Sequence, residues 1–187
     1  MLETAGKKCM TDDARDSVSS VMGSRDVKTV GPGGHRAQPM QIVGVKLFEL
    51  GNILTRSGWM LELFRTDWPV VDVSPQQVNY VQLNPNCVTD WHCHDRQVDH
   101  IIGVGGAIKL ALWDTRDGSL TEGKVDIIRI GAIRPVMVVV PPGVWHALRN
   151  ECGQPAGYLN VTDQLYCYDD PDNRRLTPGM VEVPSVL

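Results

Sequence analysis

The sequence lacks the features of membrane, secreted and nucleic-acid-binding proteins. No apolar run approaches the roughly 20 residues that a membrane helix requires. Residues 1–20 contain no apolar segment of the kind found in a secretory signal. Cations do not predominate, since 18 Lys and Arg residues stand against 22 Asp and Glu residues and give a net charge of −4. Nucleic acids are bound by basic stripes, so we expect neither a nucleic-acid nor a membrane partner.

The five cysteines form no closely spaced pair. They are Cys9, Cys87, Cys93, Cys152 and Cys167. An odd number of cysteines in a chain without a signal peptide favours reduced thiols and a cytoplasmic location. We expect most of them to act as small buried apolar residues.

The chain divides into a polar arm and a region of short strands. Residues 1–40 carry mixed charge and no apolar period, which predicts a weakly ordered N-terminal arm with at most a short helix at Thr11–Met22. Residues 41–187 are predicted to form a single domain. Its ten strand-like runs are Ile42–Leu50, Trp59–Arg65, Gln77–Leu83, Thr89–His94, Val98–Val104, Ala107–Asp114, Val125–Ile130, Val136–Val140, Val144–Asn150 and Gly157–Asp163.

Turn residues separate these runs. About ten short strands with no long helical period indicate an all-β sandwich or barrel. Asp170-Pro171-Asp172 then introduces a C-terminal segment that is predicted to be irregular or helical.

Three histidines and one aspartate carry the functional signal. His92 and His94 lie two apart in a strand-like run, so both imidazoles project to the same face. Asp99 begins the next strand, and His146 follows the rigid turn Pro141-Pro142-Gly143. If these strands line one barrel, three imidazoles and a carboxylate converge. Such a set suits a divalent transition metal such as Fe, Mn, Ni, Co or Zn.

The spacing of these residues resembles the two motifs of the cupin superfamily. The first motif is matched by His92, His94, Asp99 and Gly106. The second motif is matched by Pro141, Gly143, His146 and Asn150. Asp99 replaces the usual Glu, and Asn86 and Pro135 stand where the two motifs usually begin with Gly. The resemblance implies a cupin fold, a double-stranded β-helix or jelly-roll barrel with the three histidines at its mouth.

Within the cupins, Ile42 to Pro171 resembles the dTDP-4-dehydrorhamnose 3,5-epimerases, the RmlC-like group. The stretches that carry the resemblance are Gly44–Leu47, Thr55–Arg65, Leu110–Gly123 and Pro141–His146. In that group a histidine removes protons alpha to the ketone of a nucleotide-linked sugar, a tyrosine returns them, and no metal is needed. The resemblance implies His92 as the base and Tyr158 as the acid, with Tyr166 or Tyr168 as alternatives. It also implies a homodimer formed through the N-terminal strands.

Three positions depart from the epimerase pattern. Thr89, His94 and Asp99 stand where the group has Arg, Gln and Lys. The last exchange places an anion where recognition of a nucleotide diphosphate favours a cation. Together, His94 and Asp99 turn an epimerase-like pocket into a metal-cupin ligand set.

Our main hypothesis is therefore a metal-dependent cupin enzyme on an RmlC-like scaffold. The metal ligands would be His92, His94, Asp99 and His146. The substrate would be small and oxygen-rich, and the chemistry isomerisation or epimerisation, lyase or oxygenase chemistry. One alternative is a metal-free sugar-nucleotide epimerase with His92 as base and Tyr158 as acid. Another is a non-catalytic cupin that binds a small molecule.

Other polar and aromatic residues near the motifs are expected to support the site or to pack outside it. Gln97 and His100 are candidates for orienting a ligand, although strand alternation favours an exposed outer position for His100. Asn150 is expected to be a turn residue. The tryptophans expected to face away from the site are Trp91, Trp113 and Trp145.

Overall fold

The computed structural model describes residues 28–31, 40–176 and 182–187. All regular elements in these residues are β-strands. The strands are β1 (Lys46–Glu49), β2 (Asn52–Thr55), β3 (Gly58–Leu61), β4 (Gln77–Leu83), β5 (His92–Cys93), β6 (Asp99–Gly103), β7 (Ala107–Asp114), β8 (Val125–Gly131), β9 (Val136–Val140), β10 (Val144–Asn150), β11 (Ala156–Thr162) and β12 (Arg174–Arg175). The described part of the chain has no helix long and apolar enough to cross a membrane.

The strands form two antiparallel sheets and a separate hairpin. One sheet has the order β1-β9-β6-β11-β4, the other has the order β12-β5-β10-β7-β8, and β2 pairs with β3. From β4 onward the chain passes repeatedly between the two sheets, as in a jelly roll. The predicted all-β jelly-roll barrel is confirmed.

Strand alternation decides which side chains enter the barrel. On β6, Ile101 belongs to the core cluster between the sheets, whereas Ile102 belongs to a second cluster on the outer side. On β10, Leu148 lies in the same interior cluster. Asp99 and His146 share the parity of these interior residues, so their strands direct them into the barrel.

The barrel is closed where the end of β6 meets β8. A Cβ atom placed on Gly103 would lie 2.5 Å from the backbone nitrogen of Gly131, so a side chain at this position would collide with the neighbouring strand. Asp99 begins the same strand. The candidate site therefore lies at the opposite end of β6, about 13 Å from the closed end at strand spacing.

The observed strands differ from the predicted ones mainly at the N-terminal end. The run at Ile42–Leu50 is shorter than predicted, because Ile42 to Val45 form a turn in which Gly44 has φ +86°. The sequence-based prediction also missed β2, which forms a hairpin with β3. The C-terminal segment, expected to be irregular or helical, is irregular in its described residues except for the two-residue strand β12. The predicted arm at residues 1–40, with its helix, lies almost entirely outside the described residues.

The prediction of an exposed His100 is wrong. His100 does face the outside of the barrel, but it is only 1% exposed. Phe64 packs edge-on against its ring, with the centroids 5.4 Å apart, because the chain after β3 covers this side of the sheet. The three motif tryptophans lie in another outer cluster, where Leu176, Val186 and Leu187 pack against them.

Candidate active site

Three imidazoles meet at the open end of the barrel. His92 on β5 lies directly opposite His146 on β10, and their ring centroids are 4.2 Å apart. His94 follows β5 and completes the group. One ring nitrogen from each of the three residues lies within 4.8 Å of the others. Pairing of β5 with β10 thus brings together histidines that are more than 50 positions apart in the sequence.

Asp99 lies beneath two of these imidazoles and is only 1% exposed. Its Oδ2 atom is 3.3 Å from Nε2 of His94 and 3.2 Å from Nε2 of His146. Its Oδ1 atom accepts hydrogen bonds from the side-chain amides of Gln97 and Asn160 at 2.7 and 3.0 Å.

The two imidazoles lower the pKa of Asp99 by more than burial raises it. Burial by itself would raise the pKa of the Asp99 carboxyl, but His146 and His94 hold this pKa well below its ordinary value. Burial lowers the pKa of His94, but the hydrogen bond and the charge of Asp99 leave it raised. The carboxylate is therefore ionised and favours a positive charge beside it.

His92 has the opposite electrostatic environment. Burial, and then the neighbouring His146, lower the pKa of His92 to about 3. Its Nδ1 atom lies 2.9 Å from the carbonyl oxygen of Asp90. A carbonyl oxygen only accepts hydrogen bonds, so Nδ1 carries the proton and Nε2 keeps a free lone pair. His92 is therefore a neutral imidazole with one basic nitrogen.

Asp172 anchors the loop between β5 and β6. Its carboxylate accepts hydrogen bonds from the backbone N–H groups of Asp95, Arg96 and Gln97, each at 2.9 Å. Its backbone carbonyl accepts a hydrogen bond from Nδ1 of His94. Partial burial would raise the pKa of Asp172, but the three N–H groups lower it. The C-terminal segment thus holds His94 in place.

A cavity of about 350 Å³ opens beside the histidines. His92 and His94 contribute to its lining, together with six side-chain carboxamides. These amides belong to Gln77, Asn79, Gln97, Asn160, Gln164 and Asn173. Arg96 is the only cationic residue among the described lining residues, and Asp170 and Asp172 oppose it. The cavity is thus polar, with little excess of positive charge.

The structure brings four of the five predicted site residues together and places the fifth lower in the barrel. Tyr158 is 6% exposed within the interior core cluster, and it is absent from the described residues that line the cavity. Burial, and then the charge of Asp99, raise the pKa of its phenol to about 12. Tyr166, an alternative from the sequence, does line the cavity. Tyr168 is 89% exposed and packs against Tyr166.

Sequence reasoning missed most of the amides and the anchoring role of Asp172. Strand parity offered a signal for some of them, because Gln77 and Asn79 share the inward parity of Leu83 on β4. Asn160 likewise shares the inward parity of Tyr158 on β11. Asp172 gave no such signal, because it follows an irregular segment and reaches His94 only in the folded chain.

Comparison with known proteins identifies relatives among sugar-modifying enzymes. No family model matches the chain. The chain is 32% identical over 120 residues to the probable low-salt glycan biosynthesis epimerase Agl13 of Haloferax volcanii, an alignment that covers 64% of this chain and 77% of that protein.

Two solved structures share the fold of this chain. A dTDP sugar isomerase from Desulfovibrio desulfuricans G20 superposes with a TM-score of 0.68 at 24% identity, covering 74% of this chain and 87% of that one. The 3'-monoepimerase ChmJ from Streptomyces bikiniensis, solved in complex with dTDP-quinovose, superposes with a TM-score of 0.67 at 21% identity, covering 75% of this chain and 73% of that one.

Proposed function

Because the chain belongs to the RmlC-like family of sugar epimerases, we propose that it epimerises a keto sugar carried on a nucleoside diphosphate. The chain is an enzyme of the epimerase or isomerase class. The identity of the sugar, its nucleotide carrier and the roles of individual residues belong to the proposal. The geometry of His92 is the observation that carries it.

His92 has the tautomer and the position of a general base for a carbon acid. Its imidazole is neutral, its Nδ1 proton is held by the Asp90 carbonyl, and the ring lines the cavity. In the proposed reaction, Nε2 of His92 takes the proton from a carbon next to the ketone. The C–H electron pair moves into the ketone as an enolate, and a proton returned from the opposite face inverts the carbon. No redox step or leaving group is involved.

The carboxamide lining supports a polyhydroxylated substrate. Each amide offers both a donor and an acceptor, which matches the hydroxyl groups of a sugar ring. The cavity offers little positive charge to bind a diphosphate. Arg96 is the only cationic residue among the described lining residues, and the lining also contains two carboxylates. We therefore propose that the sugar occupies this cavity while the phosphates lie toward its rim.

The proton donor is proposed to be a tyrosine. Tyr158, implied by the family resemblance, is buried, and its raised pKa keeps the phenol protonated. Tyr166 is the better placed alternative, because it lines the cavity. Substituting each by phenylalanine removes only the hydroxyl group, so the two variants separate these assignments with little change in packing.

Solvent exchange tests the proposed reaction. The purified chain is incubated in D₂O with a 4-keto-6-deoxy sugar linked to thymidine diphosphate, and the C–H signals next to the ketone are followed by proton NMR. We expect these signals to disappear with the wild type. His92→Asn is expected to slow the exchange by about 10² to 10⁴-fold, the usual contribution of a general base. His35→Asn, which changes a histidine outside the described residues, serves as the matched control.

The tyrosine variants and the control define the outcomes of this experiment. Loss of epimer formation in Tyr166→Phe but not in Tyr158→Phe would assign the acid to Tyr166, and the reverse would assign it to Tyr158. Exchange in His92→Asn equal to that of the wild type would refute the assignment of the base. Tight binding of the sugar nucleotide without any exchange would favour a non-catalytic cupin.

The homodimer predicted from the family resemblance also remains a proposal. The hairpin of β2 and β3 carries exposed apolar side chains. They include Ile53, Leu54, Trp59 and Met60, with exposed fractions of 46%, 86%, 60% and 50%. Strand β4 is the last strand of its sheet, and its outward residues Val78 and Tyr80 are each 60% exposed. An apolar hairpin and a free sheet edge on one chain support pairing with a second copy.

A further inference from the structure

Neighbouring groups fix the orientation of several amides on the cavity wall. An amide nitrogen only donates and an amide oxygen only accepts, so a partner with a single role decides which end faces it. The backbone N–H of Tyr166 donates to Oε1 of Gln77 at 2.8 Å. Nε2 of Gln77 therefore points the other way and donates to Oδ1 of Asn79 at 3.0 Å. The amide nitrogen of Asn79 is thereby the end that is turned away from Gln77.

Gln97 is held in place through both its backbone and its side chain. Its backbone N–H donates to the Asp172 carboxylate at 2.9 Å, and its Nε2 atom donates to Oδ1 of Asp99 at 2.7 Å. The Asp99 carboxylate is ionised and only accepts, so a reversed amide would place two oxygen atoms against each other. The same Nε2 atom lies 3.3 Å from Nε2 of His94, directly beside the imidazoles. Oε1 of Gln97 is therefore an acceptor with a fixed position.

Two amides donate to Asp99, but only one of their oxygens is accessible. Nδ2 of Asn160 donates to the same oxygen of Asp99 at 3.0 Å. Oδ1 of Asn160 is one of the buried polar atoms that have no hydrogen-bond partner. Oε1 of Gln97 likewise accepts no hydrogen bond from the described residues, yet it is not one of these buried atoms. Since Gln97 lines the cavity, a ligand there can reach its oxygen.

An accessible acceptor with a fixed orientation discriminates between ligands. A hydroxyl group of a sugar can donate to it, whereas a deoxygenated position would displace water from the oxygen without replacing the hydrogen bond. Sites built to bind a hydroxyl group reject analogues that lack it for this reason. Because the backbone and the side chain of Gln97 are already held, little conformational entropy is lost when a ligand binds to it.

We propose that Gln97 determines substrate specificity by accepting a hydrogen bond from a free hydroxyl group of the sugar. This inference rests on the proposed function, which places the sugar in this cavity. It narrows the substrate class to sugars that keep a hydroxyl group at the position facing Gln97. A 4-keto-6-deoxy sugar linked to a nucleotide has only its 2-hydroxyl and 3-hydroxyl groups, so one of these two is the group that Gln97 binds.

Binding of unreactive analogues tests this assignment without turnover. The full chain is titrated in a calorimeter with thymidine diphosphate linked to 6-deoxyglucose and with the 2-deoxy and 3-deoxy forms of this ligand, which have no ketone. We expect the wild type to bind one of the two deoxy forms about 10 to 100-fold more weakly, the usual effect of leaving an acceptor unpaired. Gln97→Leu should bind that form and the parent ligand with affinities within about 3-fold of each other.

Asn160→Leu is the matched control. It removes the other amide that donates to Asp99, and the oxygen that it removes is the buried one. We expect it to change the affinities for the parent ligand and the deoxy form alike, so that the preference for the hydroxyl group is kept. Loss of the preference in both variants would overturn the assignment, because the effect would then pass through Asp99 and not through the oxygen of Gln97.

The wild type by itself also tests the inference, even if a variant fails to fold. Equal affinities for all three ligands would overturn the role of Gln97. If the wild type then still exchanges deuterium into the keto sugar, the proposed epimerase function stands and only the inference about Gln97 fails. Failure of every ligand to bind at millimolar concentration would instead refute the recognition of a nucleotide-linked sugar, and both proposals with it.

Discussion

At the scale of single residues, the site shifts the pKa values of two histidines of one chain segment in opposite directions. His92 and His94 are two positions apart, yet the pKa of His92 falls to about 3 while that of His94 is raised. The difference arises from Asp99, which lies 3.3 Å from His94 and acts on His92 only as a weak, more distant charge. A neutral base and an anion-bound imidazole therefore coexist in one cavity.

The lowered pKa of His92 makes stability depend on pH. In the unfolded chain this histidine titrates near 6.5, whereas in the folded chain its pKa is about 3. The unfolded state thus binds more protons between these values, so the stability associated with neutral His92 is complete above about pH 6.5 and is lost as the pH falls toward 3. Relative to His92→Asn, the wild type should lose up to about 1.4 kcal/mol of unfolding free energy per pH unit below pH 6.5.

Urea denaturation of the wild type and of His92→Asn between pH 5 and 8 measures this difference. The comparison with the variant removes the contributions of groups that titrate in both proteins. A difference in unfolding free energy that stays constant across this range would contradict the lowered pKa.

At the scale of elements, β6 connects the candidate site with the closed end of the barrel. Asp99 begins the strand among the histidines, and Gly103 ends it against β8. Between them, Ile101 fills the interior and Ile102 the outer cluster, and both are at most 1% exposed. Any displacement of the closed end should therefore pass along a tightly packed strand to the carboxylate.

Gly103→Ala tests the close approach of β6 and β8. The new Cβ atom would lie 2.5 Å from the Gly131 nitrogen and 2.9 Å from the carbonyl carbon of Ile130, and backbone atoms cannot move aside cheaply. We expect a loss of about 3 kcal/mol in unfolding free energy, at the upper end for overpacked cores. Gly105→Ala is the matched control, because its Cβ atom would meet only ordinary contact at 3.7 Å. Equal stability of the two variants in urea would contradict the prediction.

At the scale of the whole molecule, the hairpin of β2 and β3 lies apart from the two five-stranded sheets of the barrel. It forms a two-stranded sheet of its own. All residues of both strands except Leu61 are exposed. An isolated two-stranded hairpin is only marginally stable in water. Partnership with a second copy would cover these residues.

Two substitutions in this hairpin test the proposed homodimer. We expect the wild type to sediment at twice the chain mass of 20.7 kDa, and Leu54→Asp together with Trp59→Asp to shift it to the monomer, because buried carboxylates would oppose association. Ile133→Asp is the matched control, since Ile133 is 98% exposed in a turn outside the hairpin. A wild type that sediments as a monomer at micromolar concentration would refute the dimer.

Local patterns in the sequence predicted an all-β sandwich or barrel, and the cupin motifs narrowed this to a jelly-roll barrel. Alternation predicted that His92 and His94 share one face, and the resemblance to the cupin motifs implied that they meet Asp99 and His146 at the mouth of a barrel. The motif positions have equally local causes. Gly106 has φ +64°, and Asn86, which replaces the first motif glycine, has φ +59°, a region that asparagine tolerates better than most residues.

Only the tertiary structure decided the chemistry of the site, because hydrogen-bond partners and burial depend on residues far apart in the sequence. Asp172, 78 positions away, orients His94 through its carbonyl, and Asn160, 61 positions away, binds Asp99. Cover by the chain around Phe64 buries His100, which strand parity alone would leave exposed. The direction in which a side chain faces is set by its own strand. Its tautomer, its pKa and its hydrogen-bond partners depend on the other strands and loops that pack around it in the folded chain.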